Sequence, residues 1–257
     1  IYFLENGSCG RPSSVIYDRQ DSCISKAKNT DFNWELILND TNWFHVTGIT
    51  PAISQSGADL AMQAVSAAKK SGVTVSLDLN YRKKLWNYGK TAPEVMCALA
   101  EKVDVLIANE EDIQKSLGIN APTVDVTKGK LERKDFKTLA EKVKAKFPNI
   151  RIVAITLRES ISADKNGWSA VLSGESKFLT SKEYLIEDIV DRVGAGDAFS
   201  AGLIYGLQEY GEDEQSALEF ATAASCLKHT ISGDFNLSTK QEILTLMAGD
   251  SSGRVHR

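Results

Sequence analysis

The spacing of apolar positions changes several times along the chain. Tyr2-Phe3-Leu4 and Val15-Ile16-Tyr17 are short β-type runs, and the polar Gly/Ser/Pro stretch from Asn6 to Ser14 separates them. This pattern predicts a hairpin, or two strands of a small sheet. From Trp34 onward the rhythm differs. Trp43–Gly48, Val73–Leu77, Val105–Ala108, Ile152–Leu157 and Trp168–Leu172 read as strands. Gly57–Lys70 carries Leu60, Ala64, Ala67 and Ala68 on one side of a helix, Thr91–Lys102 is helical, and Glu110–Leu117 is a helix ended by Gly118. Asn120–Lys134 reads as a loop. The basic run Lys130–Lys146 holds Phe136, Leu139, Val143 and Phe147 at helical spacing, so its charges form a solvated face. Helices dominate from Ala195 to the end. Strands alternating with helices predict βαβ units and an α/β fold with a parallel sheet. Such sheets bind ligands beyond the carboxyl ends of their strands, so the residues that follow each strand are the ones to inspect.

Composition narrows the classes. The chain has 257 residues, 42% of them hydrophobic and 25% charged, and a net charge of −4. That suits a soluble domain with a substantial core. Mild acidity disfavours nucleic-acid binding, which needs a basic face. No apolar run is long enough to span a bilayer. Cys9, Cys23, Cys97 and Cys226 form no C-x-x-C pair. They are expected to be reduced, packed as small hydrophobes in a cytoplasmic protein.

The sharpest chemical feature is Asp191-Arg192-Val193-Gly194-Ala195-Gly196-Asp197-Ala198-Phe199, directly before a helical pattern. Glycines let the backbone turn tightly and approach a ligand. The N–H groups of Ala195, Gly196 and Asp197 at a helix start form an anion site. Taken alone, Asp197 also fits a carboxylate placed to complement the helix dipole. Other nucleotide motifs fail. Phe199 breaks the dinucleotide fingerprint, and Gly129-Lys130 lacks both the preceding glycine and the following Ser/Thr of a Walker A loop. His45, His229 and His256 read as structural or solvated residues.

Two further segments follow strands. In Asp78-Leu79-Asn80-Tyr81-Arg82, the residues Asp78, Asn80 and Arg82 share one side if the chain stays extended. Arg82 suits a carboxylate or phosphate; the alternative is a turn with a capping Asp and a surface Arg. Asn109-Glu110-Glu111-Asp112 offers carboxylates to hydrated Mg²⁺, or ordinary helix-capping chemistry.

Together these motifs resemble the ribokinase-like (phosphofructokinase-B) carbohydrate kinases, in particular the 2-keto-3-deoxygluconate kinase branch. The residues that carry the resemblance are 191–199, Asp78–Arg82 with Leu85-Trp86, Arg11–Arg19, and Gly233-Asp234-Phe235-Asn236-Leu237. It implies a mostly parallel central sheet flanked by helices, with residues 1–30 part of a small β lid and 31–257 the kinase domain. It implies that Asp197 is the catalytic base and that the backbone at Gly194, Ala195 and Gly196 is the anion hole. Arg19, Arg82 and Asn80 would hold the sugar acid, with Tyr2 and Tyr17 as pocket walls. Asn109, Thr156, Arg158 and Asn236 would contact ATP or phosphate, with adenine near Ala223–Ser225. Asn109 and Asp112 could reach a metal through water. Asp112 stands where the family has Glu, and Arg158-Glu159-Ser160 departs from its usual glycine.

The resemblance implies ATP and Mg²⁺ as cofactors and admits a monovalent cation. The expected reaction converts 2-dehydro-3-deoxy-D-gluconate to its 6-phosphate. The expected partners are this small molecule and ATP, with no nucleic acid or membrane, and a second copy through the lid. The resemblance also implies a further segment before Ile1, with a glycine-rich sugar-binding stretch and half of the lid sheet. The rivals are another ribokinase-like kinase, such as a fructokinase or nucleoside kinase, and a non-catalytic nucleotide or sugar-acid binder. Two arginines favour an acidic substrate over a neutral sugar, and an intact Asp197 disfavours the binder.

Overall fold

The computed structural model describes residues 1–120 and 133–249. The expected loop Asn120–Lys134 lies almost wholly outside the described residues, as do Gly129-Lys130 and His256. Two compact units form. The first comprises Ile1–Phe3, Ile16–Ile155 and Ser173–Lys177; the second comprises Leu4–Val15, Thr156–Leu172 and Phe178–Arg257.

β1 (Tyr2–Glu5) and β2 (Ser14–Tyr17) form a separate two-stranded sheet. The Ile1 nitrogen donates to the Asp18 carbonyl at 2.9 Å, and the Asp18 N–H donates to Ile1 O at 3.0 Å. Alternation leaves Tyr2 and Tyr17 half-buried on one face and Phe3 and Ile16 exposed on the other.

In the first unit, the short helices α1 (Cys23–Lys26), α2 (Trp34–Ile37) and α3 (Ile49–Ile53) accompany β3 (Trp43–Thr47). Then come α4 (Gln55–Lys70), β4 (Thr74–Asp78), α5 (Ala92–Ala100), β5 (Val105–Ala108), α6 (Glu110–Leu117) and α7 (Arg133–Lys146). β3, β4 and β5 pair in parallel, and β5 pairs in parallel with β6 (Ile152–Ser160) through Val105↔Ile152 to Ala108↔Ile155. Val75, Leu77, Val105, Leu106, Val153 and Ile155 are almost wholly buried. Continuous burial of this kind marks a parallel sheet covered on both faces. α4 packs on β3 and β4 and buries Leu60, Ala61, Ala64, Val65 and Ala68. α7 buries Phe136, Leu139 and Val143, as expected from spacing, together with Ala140, and Phe147 is buried just past the helix end.

β6 runs three residues past its expected end at Leu157. Its burial changes there from continuous to alternating, a one-sided strand that a search for apolar runs stops short of. The second unit continues with β7 (Asn166–Ser173), β8 (Phe178–Thr180) and β9 (Tyr184–Ile186), then α8 (Ala195–Tyr210), α9 (Glu214–Lys228) and α10 (Lys240–Met247). β9 pairs antiparallel with β7. The full sheet has the order β3-β4-β5-β6-β7-β8, with β9 beside β7. This is a mixed, mostly parallel sheet flanked by helices. Small residues bring α8 and α9 close together. A Cβ on Gly202 would stand 2.9 Å from Ala221 Cα, and one on Gly206 2.7 Å from Ala217 Cα.

Candidate active site

In the second unit, the segment Asp191–Asp197 turns into α8 at Gly194, its N-cap, with φ +78°. Only glycine adopts this conformation without strain. Asp191 braces the turn. Its Oδ1 accepts the Val193 N–H and its Oδ2 accepts the Gly233 N–H, both at 3.0 Å. Ser225 Oγ on α9 donates to the Ala195 carbonyl at 2.6 Å, a fully buried bond. The loop is therefore held from both flanks, while Gly196 and Asp197 are exposed at the helix start. Among the described residues the Asp197 carboxylate makes no hydrogen bond or ion pair. No side chain caps α8, so Asp197 is not used as a capping group here. A free carboxylate beside unpaired helix N–H groups can accept a proton next to a bound anion.

Asn236 lies in the same unit. Its Nδ2 donates to Ala224 O at 3.2 Å, and its Oδ1 accepts the Ser238 N–H. Asn236 and the Ala223–Ser225 stretch of α9 are thus neighbours. Sequence reading attached no role to the neighbouring Phe235 and Leu237, yet they are 79% and 73% exposed. Arg158 lies within β6, and its guanidinium stacks over Trp168 at 5.1 Å. Thr156 opens this part of the strand, half-buried.

In the first unit, the chain does not stay extended after β4. Asn80 takes φ +38°, and its N–H donates to Asp78 Oδ1. Asn tolerates this region better than most residues. Asp78, Asn80 and Arg82 therefore do not alternate along one straight edge. The kink instead sets the Asn80 amide against Thr47 Oγ1 at the end of β3, at 3.3 Å.

Asp112 ties two motifs together. Its Oδ1 accepts the Tyr81 N–H at 3.0 Å, and its Oδ2 accepts the Asn109 N–H at 3.4 Å. Asn109 Oδ1 accepts the Asp112 N–H in return, a reciprocal capping box. Burial raises the Asp112 pKa; the two N–H bonds and the Arg82 charge oppose that shift. The capping reading of this segment therefore describes its geometry. Arg82 itself is half-buried, with Nη1 on Tyr81 O. Arg19 stacks on Tyr17 at 5.2 Å and keeps a buried Nε without a partner among the described residues.

No group of three or more His, Cys, Asp and Glu among the described residues could hold a metal ion. No described helix is long and apolar enough to cross a membrane. The four cysteines are free, and Cys9 and Cys23 are exposed rather than packed. Both lie in the N-terminal segment of short strands and helices, which buries few side chains.

The pfkB family carbohydrate kinase model matches residues 1–240. A 2-dehydro-3-deoxygalactonokinase of Haloferax volcanii is 31% identical, over 98% of this chain and 71% of its own length. The crystal structure of a 2-dehydro-3-deoxygluconokinase from Thermotoga maritima superposes with a TM-score of 0.88 at 49% identity, over 96% of this chain and 73% of that one. An E. coli protein described as a ribokinase II, solved in complex with ATP and Mg²⁺, shares the fold with a TM-score of 0.68 at 22% identity, over 92% of this chain and 68% of that one. The match over nearly the whole chain, on a glycine–aspartate loop opening a helix beside a mostly parallel sheet, leads to one conclusion: this protein belongs to the pfkB family of carbohydrate kinases, phosphotransferases with an alcohol acceptor.

Proposed function

We propose that the protein transfers a phosphoryl group from ATP to the terminal hydroxyl of a 2-keto-3-deoxy sugar acid, converting 2-dehydro-3-deoxy-D-gluconate to its 6-phosphate. The observation that carries this reading is the Asp197 carboxylate, unengaged among the described residues, beside the glycine-braced start of α8. Phosphoryl transfer asks a protein mainly for positioning and charge stabilisation. In the proposed roles, Asp197 takes the proton of the attacking hydroxyl. The N–H groups of the Gly194-Ala195-Gly196 segment hold the charge that develops on the phosphoryl oxygens.

Arg82 and Arg19 hold the substrate carboxylate, Asn80 a hydroxyl, and Tyr2 and Tyr17 wall the sugar. Two cations suit an acid better than a neutral sugar. Both the galactono- and the gluconokinase relatives are named for keto-deoxy acids, which supports the same class. Asn109, Thr156, Arg158 and Asn236 are assigned to ATP, with Phe235 and Leu237 offering apolar surface to its base. Mg²⁺ would enter with the nucleotide and offset its phosphate charge, and in the proposed roles Asn109 and Asp112 would reach it through water. We place the protein in the cytoplasm.

The test is ADP formation with 2-dehydro-3-deoxygluconate, its galactonate epimer and fructose. Higher kcat/KM on either acid than on fructose is expected. Equal or faster turnover of fructose would transfer the chain to the fructokinases.

A further inference from the structure

Arg192, second residue of the glycine–aspartate segment, closes on the turn between β6 and β7. Its Nε donates to the Ala163 carbonyl at 2.8 Å. Its Nη2 donates to the Ser162 carbonyl and to Asn166 Oδ1, the latter at 3.0 Å. Asn166 is fully buried on β7. All three acceptors are neutral oxygens, and a planar guanidinium meets them as a fork. The turn is tight: the N–H groups of Ile161 and Ser162 both donate to Lys165 O, at 3.1 and 3.0 Å.

The other side of this turn holds the tip of the β1–β2 connection. The Ala163 N–H donates to Cys9 O at 2.8 Å, and the Cys9 N–H donates to Asp164 Oδ2 at 2.6 Å. Ser8 Oγ stands 3.5 Å from the same oxygen. Ala163 thus carries Arg192 on its carbonyl and the tip on its N–H. Beside this junction an open cleft, lined by Gly7, Ser13, Asp164, Val190 and Arg192, lies between the β1–β2 connection and the 190–192 segment. All these residues belong to the second unit.

We propose that the β6–β7 turn is a latch between the β1–β2 tip and the 191–196 loop, and that Arg192 is the positioning residue that sets it. The fork holds the turn, the turn holds the tip, and each end steadies the other. Contiguous hydrogen bonds with rigid elements between them can carry coupling of this kind. The tip joins the strands that bear Tyr2 and Tyr17, so the latch keeps the sugar wall and the anion hole in one arrangement. That link to catalysis rests on the kinase reading; the link between the two segments does not.

The experiment measures residue-resolved amide hydrogen exchange in the parent chain, Arg192→Met and Asp164→Ala, with ADP-forming turnover of 2-dehydro-3-deoxygluconate read beside it. The reporters are hydrogen-bonded amides: Ser8, Cys9 and Arg11 in the tip, and Val190, Asp191 and Val193 beside the loop. Helix α4, in the first unit, is the control. Arg192→Met is expected to speed exchange at the tip at least about tenfold, the loss of hydrogen bonds from a charged donor, with α4 unchanged. Asp164→Ala frees the tip and is expected to speed exchange at Val190, Asp191 and Val193 and to lower kcat several-fold.

Unchanged tip exchange in Arg192→Met overturns the proposal. So does equally faster exchange in α4, the behaviour of a residue that merely supports the whole fold. Unchanged exchange beside the loop in Asp164→Ala overturns it too, and a loosened loop with the parent's kcat removes the positioning role. If Arg192→Met does not fold, Asp164→Ala, a change at a partly exposed side chain, decides by the same readings. Should the parent phosphorylate no sugar acid, the kinase reading fails by itself and the exchange rates alone decide the latch.

Discussion

Gly194 lies so close to Asp234 that a Cβ at position 194 would stand 1.9 Å from the Asp234 carbonyl oxygen. Its φ of +78° adds a second reason for glycine. Two residues on, Gly196 is helical and a Cβ there would meet nothing within 4 Å. Neither packing nor backbone geometry demands glycine at 196, so the open space is the feature.

The two alanine substitutions are therefore expected to separate. Gly194→Ala should cost at least about 2 kcal/mol of stability through left-handed strain and the clash. Gly196→Ala should leave stability unchanged or gain about 0.5–1 kcal/mol from helix propensity, yet lower turnover by crowding the phosphoryl group. Urea unfolding and initial rates on both variants check this. A fully active Gly196→Ala would remove the anion-hole assignment.

Much of this was legible from sequence, and the failures have physical causes. Continuous apolar runs such as Val105–Ala108 announce strands buried on both faces, and Gly118 marks the end of α6 in the left-handed conformation. β8 and β9 have three residues each, too few for any periodicity to show. The glycine–aspartate loop is local, so its motif located it. Asp112 holding the Tyr81 amide is a tertiary bond between segments about thirty residues apart, and nothing in the local pattern of either announces it. Lys228 reads as an ordinary basic residue at a helix end; only its burial sets it apart.

Acid should weaken the fold through His229. This residue is fully buried, with Nδ1 2.8 Å from the Ser225 carbonyl and its ring edge-on to Trp168. Burial lowers its pKa from 6.5 to about 4. Above pH 6.5 both folded and unfolded states hold it neutral, and its contribution is complete. Between pH 6.5 and 4 only the unfolded state takes up the proton, so stability falls by up to about 3 kcal/mol, with no further loss from this group below pH 4. Urea unfolding from pH 7.5 to 4 should show a smaller decline in His229→Gln than in the wild type. Parallel declines would contradict this account.

Arg82→Ala should raise KM for the keto-acid about tenfold to a hundredfold, the loss of a charged hydrogen bond, and leave KM for ATP nearly unchanged. Steady-state kinetics with each substrate varied in turn provides the check. Equal effects on both constants would remove Arg82 from the acid-binding role.

The outer face of the small sheet exposes 58% of Phe3 and 67% of Ile16. An isolated two-stranded sheet is marginal in water. We propose that two copies cover this face for one another. Light scattering should find a dimer for the parent chain and a shift toward monomer for Phe3→Ser with Ile16→Ser. A monomeric parent would refute the pairing.

The most direct test of the catalytic account is turnover of Asp197→Asn at saturating sugar acid and ATP. The substitution keeps the shape of an exposed side chain that bonds nothing among the described residues, so folding and nucleotide binding should persist. Loss of the proton acceptor should lower kcat by about 10²–10⁴-fold. A variant within about threefold of the parent, far outside that range, would show that Asp197 is not the base.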